Sequence, residues 1–281
     1  MTLAPDVLDL VNNMKARGEP FALATVVRTV SLTAAKAGAK AVILSDGTMT
    51  AGWIGGGCAR ANVLKAARQS LSDGQPRLIS VQPKDVLEEH GFKAGEAHEG
   101  VLYANNMCPS HGTMDIFVEP ILPRPQLYIC GASPVAVAIA AIAPRMGFFV
   151  SVCAPASDHA LFGEADRLIE GYEIPADGGP RRYVIVSTQG RGDTAALKSA
   201  LATPSAYVAF VCSRKKASVL KNELAVAGVP TSELEALRAP AGLDLGAITP
   251  EEIALSIVAE MVEVRRRGQR RPDDQKEEGR T

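Results

Sequence analysis

Apolar positions in the first half of the chain recur with two different periods. Residues 1–19 place Val7, Leu8, Leu10, Val11 and Met14 on one face of a helix. Phe21–Val30 and Ala39–Leu44 then read as strands, and Ser45-Asp46-Gly47-Thr48 supplies a turn into a third strand around Met49–Trp53, so a small sheet is expected. Ala59–Leu71 returns to helical spacing and stops at Asp73-Gly74, after which Arg77–Val81 is again strand-like. Lys84–Glu99 is polar and predicts no element. Thr113–Val118 alternates as a half-buried strand, and Pro120, Pro123 and Pro125 predict a stiff, extended connection behind it.

From Gln126 onward, short apolar strands alternate with helices. The strands are Leu127–Cys130, Phe149–Cys153, Tyr183–Ser187 and Tyr207–Cys212, and the helices are Pro134–Met146 and Asp193–Ala202. Such alternation predicts a parallel sheet covered on both faces. Thr249, Pro250 and Glu252 form a capping box ahead of a final helix over Ile253–Val264. The expected fold class is therefore α/β. A smaller α+β domain covers residues 1–122, a Rossmann-like parallel-sheet domain covers 123–268, and a tail over 269–281, with no apolar residue, is expected to be disordered.

Composition narrows the field of partners. A chain that is 47% hydrophobic and 22% charged, with a net charge of −1, carries no basic footprint for nucleic acid. The amino terminus lacks a basic start followed by an apolar core. The longest apolar stretch, Val135–Ile142, falls far short of the ~20 residues of a membrane span, so a cytoplasmic protein without an integral membrane segment is expected. Cys58, Cys108, Cys130, Cys153 and Cys212 are odd in number and scattered, which argues against a disulfide framework. Cys130, Cys153 and Cys212 end apolar runs and read as small buried hydrophobes.

Four segments carry candidate chemistry. Gly131-Ala132-Ser133-Pro134 follows a strand and opens a helix, with small residues where a dinucleotide fingerprint has glycines, and so predicts a phosphate turn. A ligand-free strand-to-helix turn reads the same way. The acid that would receive an adenosine ribose is missing, because Cys153, Ala154 and Pro155 end the second strand. Ser213-Arg214-Lys215-Lys216 puts cations at a helix start, where they oppose the helix dipole and call for an anion, or are a solvated first turn.

In the amino-terminal domain, Gly55-Gly56-Gly57 delivers Cys58 to a helix start, where backbone can approach a ligand and a thiolate is favoured. A structural bulge beside a buried thiol is the alternative. Cys108 and His111, in Asn105-Asn106-Met107-Cys108-Pro109-Ser110-His111-Gly112-Thr113, are either soft-metal ligands or members of a plain polar loop. The four histidines have no paired carboxylate at a telling spacing, so general acid–base catalysis is not indicated.

Together these segments, with Ala24–Thr29, Phe117–Pro120 and the long run Ala239–Ala254, resemble the XdhC/CoxI family. Its members are accessory proteins for molybdenum hydroxylases such as xanthine dehydrogenase and aerobic carbon monoxide dehydrogenase. The resemblance implies a maturation factor, more a chaperone than an enzyme. Such a factor binds molybdenum cofactor as molybdopterin cytosine dinucleotide, protects it during sulfuration and delivers it to the apo-hydroxylase. It implies a homodimer, with a cysteine desulfurase as a further partner.

On this reading Gly55, Gly56, Gly57, Cys58, Arg60, Cys108 and His111 face the cofactor, and Cys58 and Cys108 reach its metal. Gly131, Ala132, Ser133, Pro134, Ser213, Arg214 and Lys215 hold the pyrophosphate. The alternative ligand is FAD or NAD(P), bound either by a flavin-loading factor for the same hydroxylase or by a thiol-dependent oxidoreductase with Cys58 as its catalytic group. The chain departs from the family in three places. Arg60 stands where an acid is common, His111 where a second glycine is frequent, and Ala154-Pro155 where members carry two acids.

Overall fold

The computed structural model describes residues 6–108, 111–175 and 181–267, apart from the Cys58 side chain. The tail over 269–281 lies outside the described residues. The chain divides into two compact units at Pro123/Arg124.

The first unit opens with α1 (Val7–Arg17), capped by the Asp6 carboxylate, which accepts from the Leu8 amide at 3.0 Å. The antiparallel strands β1 (Phe21–Val30), β2 (Lys40–Leu44) and β3 (Met49–Gly52) follow, then α2 (Gly57–Asp73) and β4 (Arg77–Gln82). α3 (Lys84–Glu89), β5 (Ala97–His98), β6 (Val101–Asn105) and β7 (Thr113–Ile121) complete the unit. Its seven strands form one mixed sheet in the order β3-β2-β1-β7-β4-β6-β5, with β4 and β6 parallel and the other pairs antiparallel. Alternation along β1 decides which helix covers which face. Ala22, Ala24 and Val26 join Ile79, Ile116 and Val118 under Val63, Ala66 and Ala67 of α2. Phe21, pointing the other way, meets Met14 of α1 and Val42.

Two expectations are corrected here. The sheet is larger than foreseen, because Lys84–Glu99 and its sequel hold α3, β5 and β6. Pro120 does not belong to the interdomain connection but lies within β7, in register with Ala22 of β1. β4 pairs with β7 only up to Val118, so one side of β7 is unpaired by Pro120 and the missing amide breaks no ladder.

The second unit runs β8 (Gln126–Cys130), α4 (Pro134–Ile142), β9 (Phe149–Ala154), β10 (Arg167–Glu170) and β11 (Arg182–Val186). It ends with α5 (Asp193–Leu201), β12 (Tyr207–Phe210), α6 (Arg214–Val226), α7 (Thr231–Ala236) and α8 (Pro250–Arg267). All five strands are parallel, in the order β10-β9-β8-β11-β12. Ile139 and Ala140 of α4 and Ala254, Ile257 and Met261 of α8 pack on one face. Ala196, Leu197 and Ala200 of α5 and Leu220 and Leu224 of α6 pack on the other. The topological switch lies between β8 and β11, as in a Rossmann-type sheet.

The helix expected over Pro134–Met146 is α-helical only to Ile142 and continues as a 3-10 turn over Ala143–Met146, because Pro144 has no amide to continue the α-helical ladder. The capping box at α8 forms as expected. The Thr249 hydroxyl accepts from the Glu252 amide at 3.3 Å, and the Glu252 carboxylate accepts from the Thr249 amide at 3.0 Å.

Candidate functional site

In the first unit, two of the segments singled out in the sequence meet. A cavity of about 390 Å3 is lined by Gly55, Gly56 and Gly57 on one side and Asn106, Met107, Cys108 and Gly112 on another. Leu32, Thr33, Ala34, Ala59, Val81 and Met114 close it, and none of the described lining residues has a charged side chain. α2 begins at this wall. Its N-cap is Gly56, which offers no capping side chain, and its first turn holds no acid, so among the described residues no side chain caps this 17-residue helix. Cys58 is the second residue of that helix, and its side chain lies outside the described residues. Arg60, which stands where the family commonly has an acid and was expected to face the cofactor, is exposed on α2 and is not among the cavity's lining residues.

Asn106 organises the Cys108 loop. Its carboxamide oxygen accepts from the Cys108 amide at 3.0 Å, its NH2 group donates to the Gly112 carbonyl at 2.6 Å, and its own amide donates to Gln82 at the end of β4. The asparagine doublet was the available sign of this role, since an Asx turn needs that side chain. His111 sits just beyond the loop with φ 48, a left-handed conformation that glycine adopts at least cost. It does not line the cavity but a separate depression shared with Cys108, Lys84, Asp85 and Glu88. Pro109 and Ser110 lie outside the described residues. Among the described residues no group of three or more His, Cys, Asp or Glu side chains is placed to hold a metal.

In the second unit the Gly131–Pro134 turn joins β8 to α4 at the switch point. Ser133 is the N-cap, its hydroxyl accepting from the Ala136 amide at 3.0 Å and sharing a 2.6 Å bond with the Ser187 hydroxyl. The Gly131 amide donates to the Cys153 carbonyl at 2.9 Å and Pro134 has no amide, so the donors this turn could offer an anion are the Ala132 and Ser133 amides. At the end of β9, where an acid was missing, the His159 Nε2 lies 2.9 Å from the Ala154 carbonyl oxygen. The Cys130 and Cys153 thiols, free, in register and buried, are hydrogen-bonded to each other, and this bond together with burial holds the Cys130 thiol well above its ordinary range. Cys212 is half-buried.

The basic run at α6 finds its counter-anions inside the chain. Lys216 pairs with Asp193, which is 8% exposed at the start of α5 and also accepts from the Thr188 hydroxyl and, at 3.1 Å, from the Gly190 amide. Arg214 lies 3.6 Å from Asp244, both exposed, beside a cleft formed by the 240–247 loop. Ser213 caps α6, accepting from the Lys216 amide at 3.3 Å, and Lys215 is exposed. Asp193 was not foreseen, because an isolated aspartate at a helix start reads as an ordinary cap.

Burial opposes ionisation of Asp193, but the bonds from Lys216, Thr188 and Gly190 outweigh it and hold the carboxyl below the usual carboxylate range. A depressed carboxyl stabilises the fold above its unfolded pKa, and that stability is lost as pH falls through the folded value. Asp193→Asn is therefore expected to cost ~1.5–3 kcal/mol at neutral pH and to flatten the loss of stability below about pH 4, read from urea melts across pH. An unaltered acid limb in the variant would refute the assignment.

These features define a two-unit α/β protein with a Rossmann-type second unit and a glycine-walled, uncharged cavity at a cysteine-bearing helix start in the first. Residues 127–261 match the XdhC Rossmann domain and residues 14–82 match the XdhC and CoxI family. The chain belongs to the XdhC/CoxI family. It is 30% identical over 254 residues to the protein YqeB of Escherichia coli K12, covering 88% of this chain and 44% of that one. It is also 29% identical over 167 residues to a Bacillus subtilis 168 protein described as a probable xanthine dehydrogenase subunit, covering 55% and 47% of the two chains. The chain thus spans less than half the length of the curated relatives it matches. A solved structure described as a xanthine dehydrogenase from Bacillus halodurans is 20% identical, with a TM-score of 0.45 over 94% of this chain and 96% of its own. Among the described residues no helix is long and apolar enough to cross a membrane.

Proposed function

We propose that this protein is an accessory factor for a molybdenum hydroxylase of the xanthine dehydrogenase type, and that it holds molybdenum cofactor in the cavity of its first unit and delivers it to the apo-enzyme. The observation that carries this reading is the meeting of the Gly55–Gly57 wall, the uncapped start of α2 and the Cys108 loop around one uncharged space. Membership of the family and the Bacillus subtilis relative's description as part of a xanthine dehydrogenase support the client's class.

The space suits the pterin end of the cofactor. Its volume falls within the ~300–1,000 Å3 of small-molecule sites, and its apolar walls exclude water from what they enclose. The helix dipole favours negative charge where α2 begins, and the Gly56–Gly57 backbone, without side chains, lets a ligand approach the amides there. When bound, the cofactor would bring a molybdenum centre carried by a sulfur-rich dithiolene, and Cys58 and Cys108 would be the candidate thiolate donors to that metal. Asn106 keeps the Cys108 loop in place. On this reading the protein works in the cytoplasm as a homodimer, with a cysteine desulfurase as the sulfur source.

Protein co-produced with a molybdenum hydroxylase and analysed by mass spectrometry of its released small molecules should yield molybdopterin cytosine dinucleotide. Recovery of FAD or NAD(P) instead would replace this reading with the flavin-loading or oxidoreductase one. Cys58→Ser is expected to weaken cofactor retention ~10-fold or more with an unchanged melting temperature. Equal retention by the variant would remove Cys58 from the site.

A further inference from the structure

We infer that Trp53 is the platform on which the planar pyrimidine ring of the bound pterin stacks, beside the Gly56 wall of the first-unit cavity; this rests on the reading above. The backbone fixes where this side chain goes. Gly52, at φ 84, ends β3 so close to β2 that a Cβ would stand 2.8 Å from the Ala41 Cα, and the Trp53 amide donates to the Lys40 carbonyl at 2.9 Å. The next residue, Ile54, is fully buried among the core residues under α2. With its neighbour anchored inward, Trp53 is left 51% exposed. Its six-membered ring lies beside the cavity wall, its Cη2 3.9 Å from where a Cβ of Gly56 would be.

Trp53 is not itself among the cavity's lining residues, but its neighbour Gly56 is. Leu32 and Met107, which line the same cavity, are 74% and 77% exposed. Two large apolar side chains of the lining are thus mostly exposed, and with Trp53 beside Gly56 their burial by a ligand would be favourable. A pterin suits this end of the cavity. Its planar pyrimidine ring offers a π-face to the indole and can meet the Met107 thioether, and none of the described lining residues is a cation.

Trp53 is also the chain's single tryptophan, so tryptophan emission reports on this side chain alone. Molybdenum cofactor released from a purified hydroxylase should quench that emission in the full chain, whereas CMP, the nucleotide end alone, should leave it unchanged. Trp53→Ala should weaken cofactor binding ~10- to 100-fold by equilibrium gel filtration, and Trp53→Phe should keep most of it, as replacement of a base-stacking aromatic does. Matching circular dichroism spectra would establish that both variants fold. If the cofactor binds and Trp53→Ala holds it as tightly as the parent, the stacking role is wrong while the maturation reading stands. If the parent binds no cofactor, both fall. Quenching by FAD or AMP with none by the cofactor would also overturn the pterin assignment.

Discussion

Gly131→Ala is expected to lower the stability of the second unit by about 3 kcal/mol or more. Gly131 sits at φ 112, where an L side chain is strained, and a Cβ there would stand 2.7 Å from the Ser187 carbonyl carbon and 2.8 Å from the Thr188 Cα. Both are backbone atoms at the end of β11, the strand paired with β8, and neither can turn aside as a flexible side chain would. Gly163→Ala, in the same unit with nothing within 4 Å, is the control and should change stability little. Urea melts followed by circular dichroism read both. Equal midpoints for Gly131→Ala and the parent would mean that the β8–β11 crossing yields easily, contrary to this account. The glycine that looked like a phosphate-turn signature thus has a packing reason that needs no ligand.

The second large effect is expected at Glu260 of α8. This carboxylate, 7% exposed, accepts from the Tyr207 hydroxyl at 2.6 Å and from the Gly242 amide at 2.9 Å, and lies 3.8 Å from the Arg238 guanidinium. One side chain therefore ties β12, the segment before the 239–249 loop, and the loop itself to the last helix. Burial, with the bond to Glu260, raises the Tyr207 hydroxyl far above its usual range, so Tyr207 remains the donor at any physiological pH. Glu260→Ala strands a buried hydroxyl and a backbone amide and is expected to cost ~3–5 kcal/mol. Glu260→Gln, which retains an acceptor, should lose ~1–2 kcal/mol. A melting temperature for Glu260→Ala within a degree or so of the parent would contradict this role, since a loss of that size moves the midpoint by several degrees.

The fold was legible wherever burial imposed a period. The strands β8, β9, β11 and β12 of the second unit are apolar on both faces and announced themselves, as did α8 with its capping box. β10 was not seen because Arg167–Glu170 is an edge strand whose Arg167 and Ile169 are half-buried and whose Leu168 and Glu170 are exposed, so little of its pattern reports a core. β5 and β6 were hidden for a similar reason, as no residue of β5 and only Ala104 of β6 is buried. Of the candidate site, the glycine wall and the Cys108 loop were visible as glycine density and turn chemistry. What joins them was not. Leu32, Thr33 and Ala34 come from the β1–β2 connection, and only the pairing of β1 with β7 brings that segment to the cavity. The Lys216–Asp193 pair was equally out of reach, because a contact between two helix starts leaves no mark in local spacing.

The pairing of β1 with β7 has a consequence for synthesis on the ribosome. Phe21 finds its partner Ile121 a hundred positions downstream, and the last cavity-lining residues, Gly112 and Met114, emerge just before it. At ~5–20 residues per second, the nascent amino-terminal hairpin waits some seconds for the strand that completes its sheet. Its apolar edge is open to chaperones for that interval, and a polypeptide released before β7 has emerged carries no pocket at all.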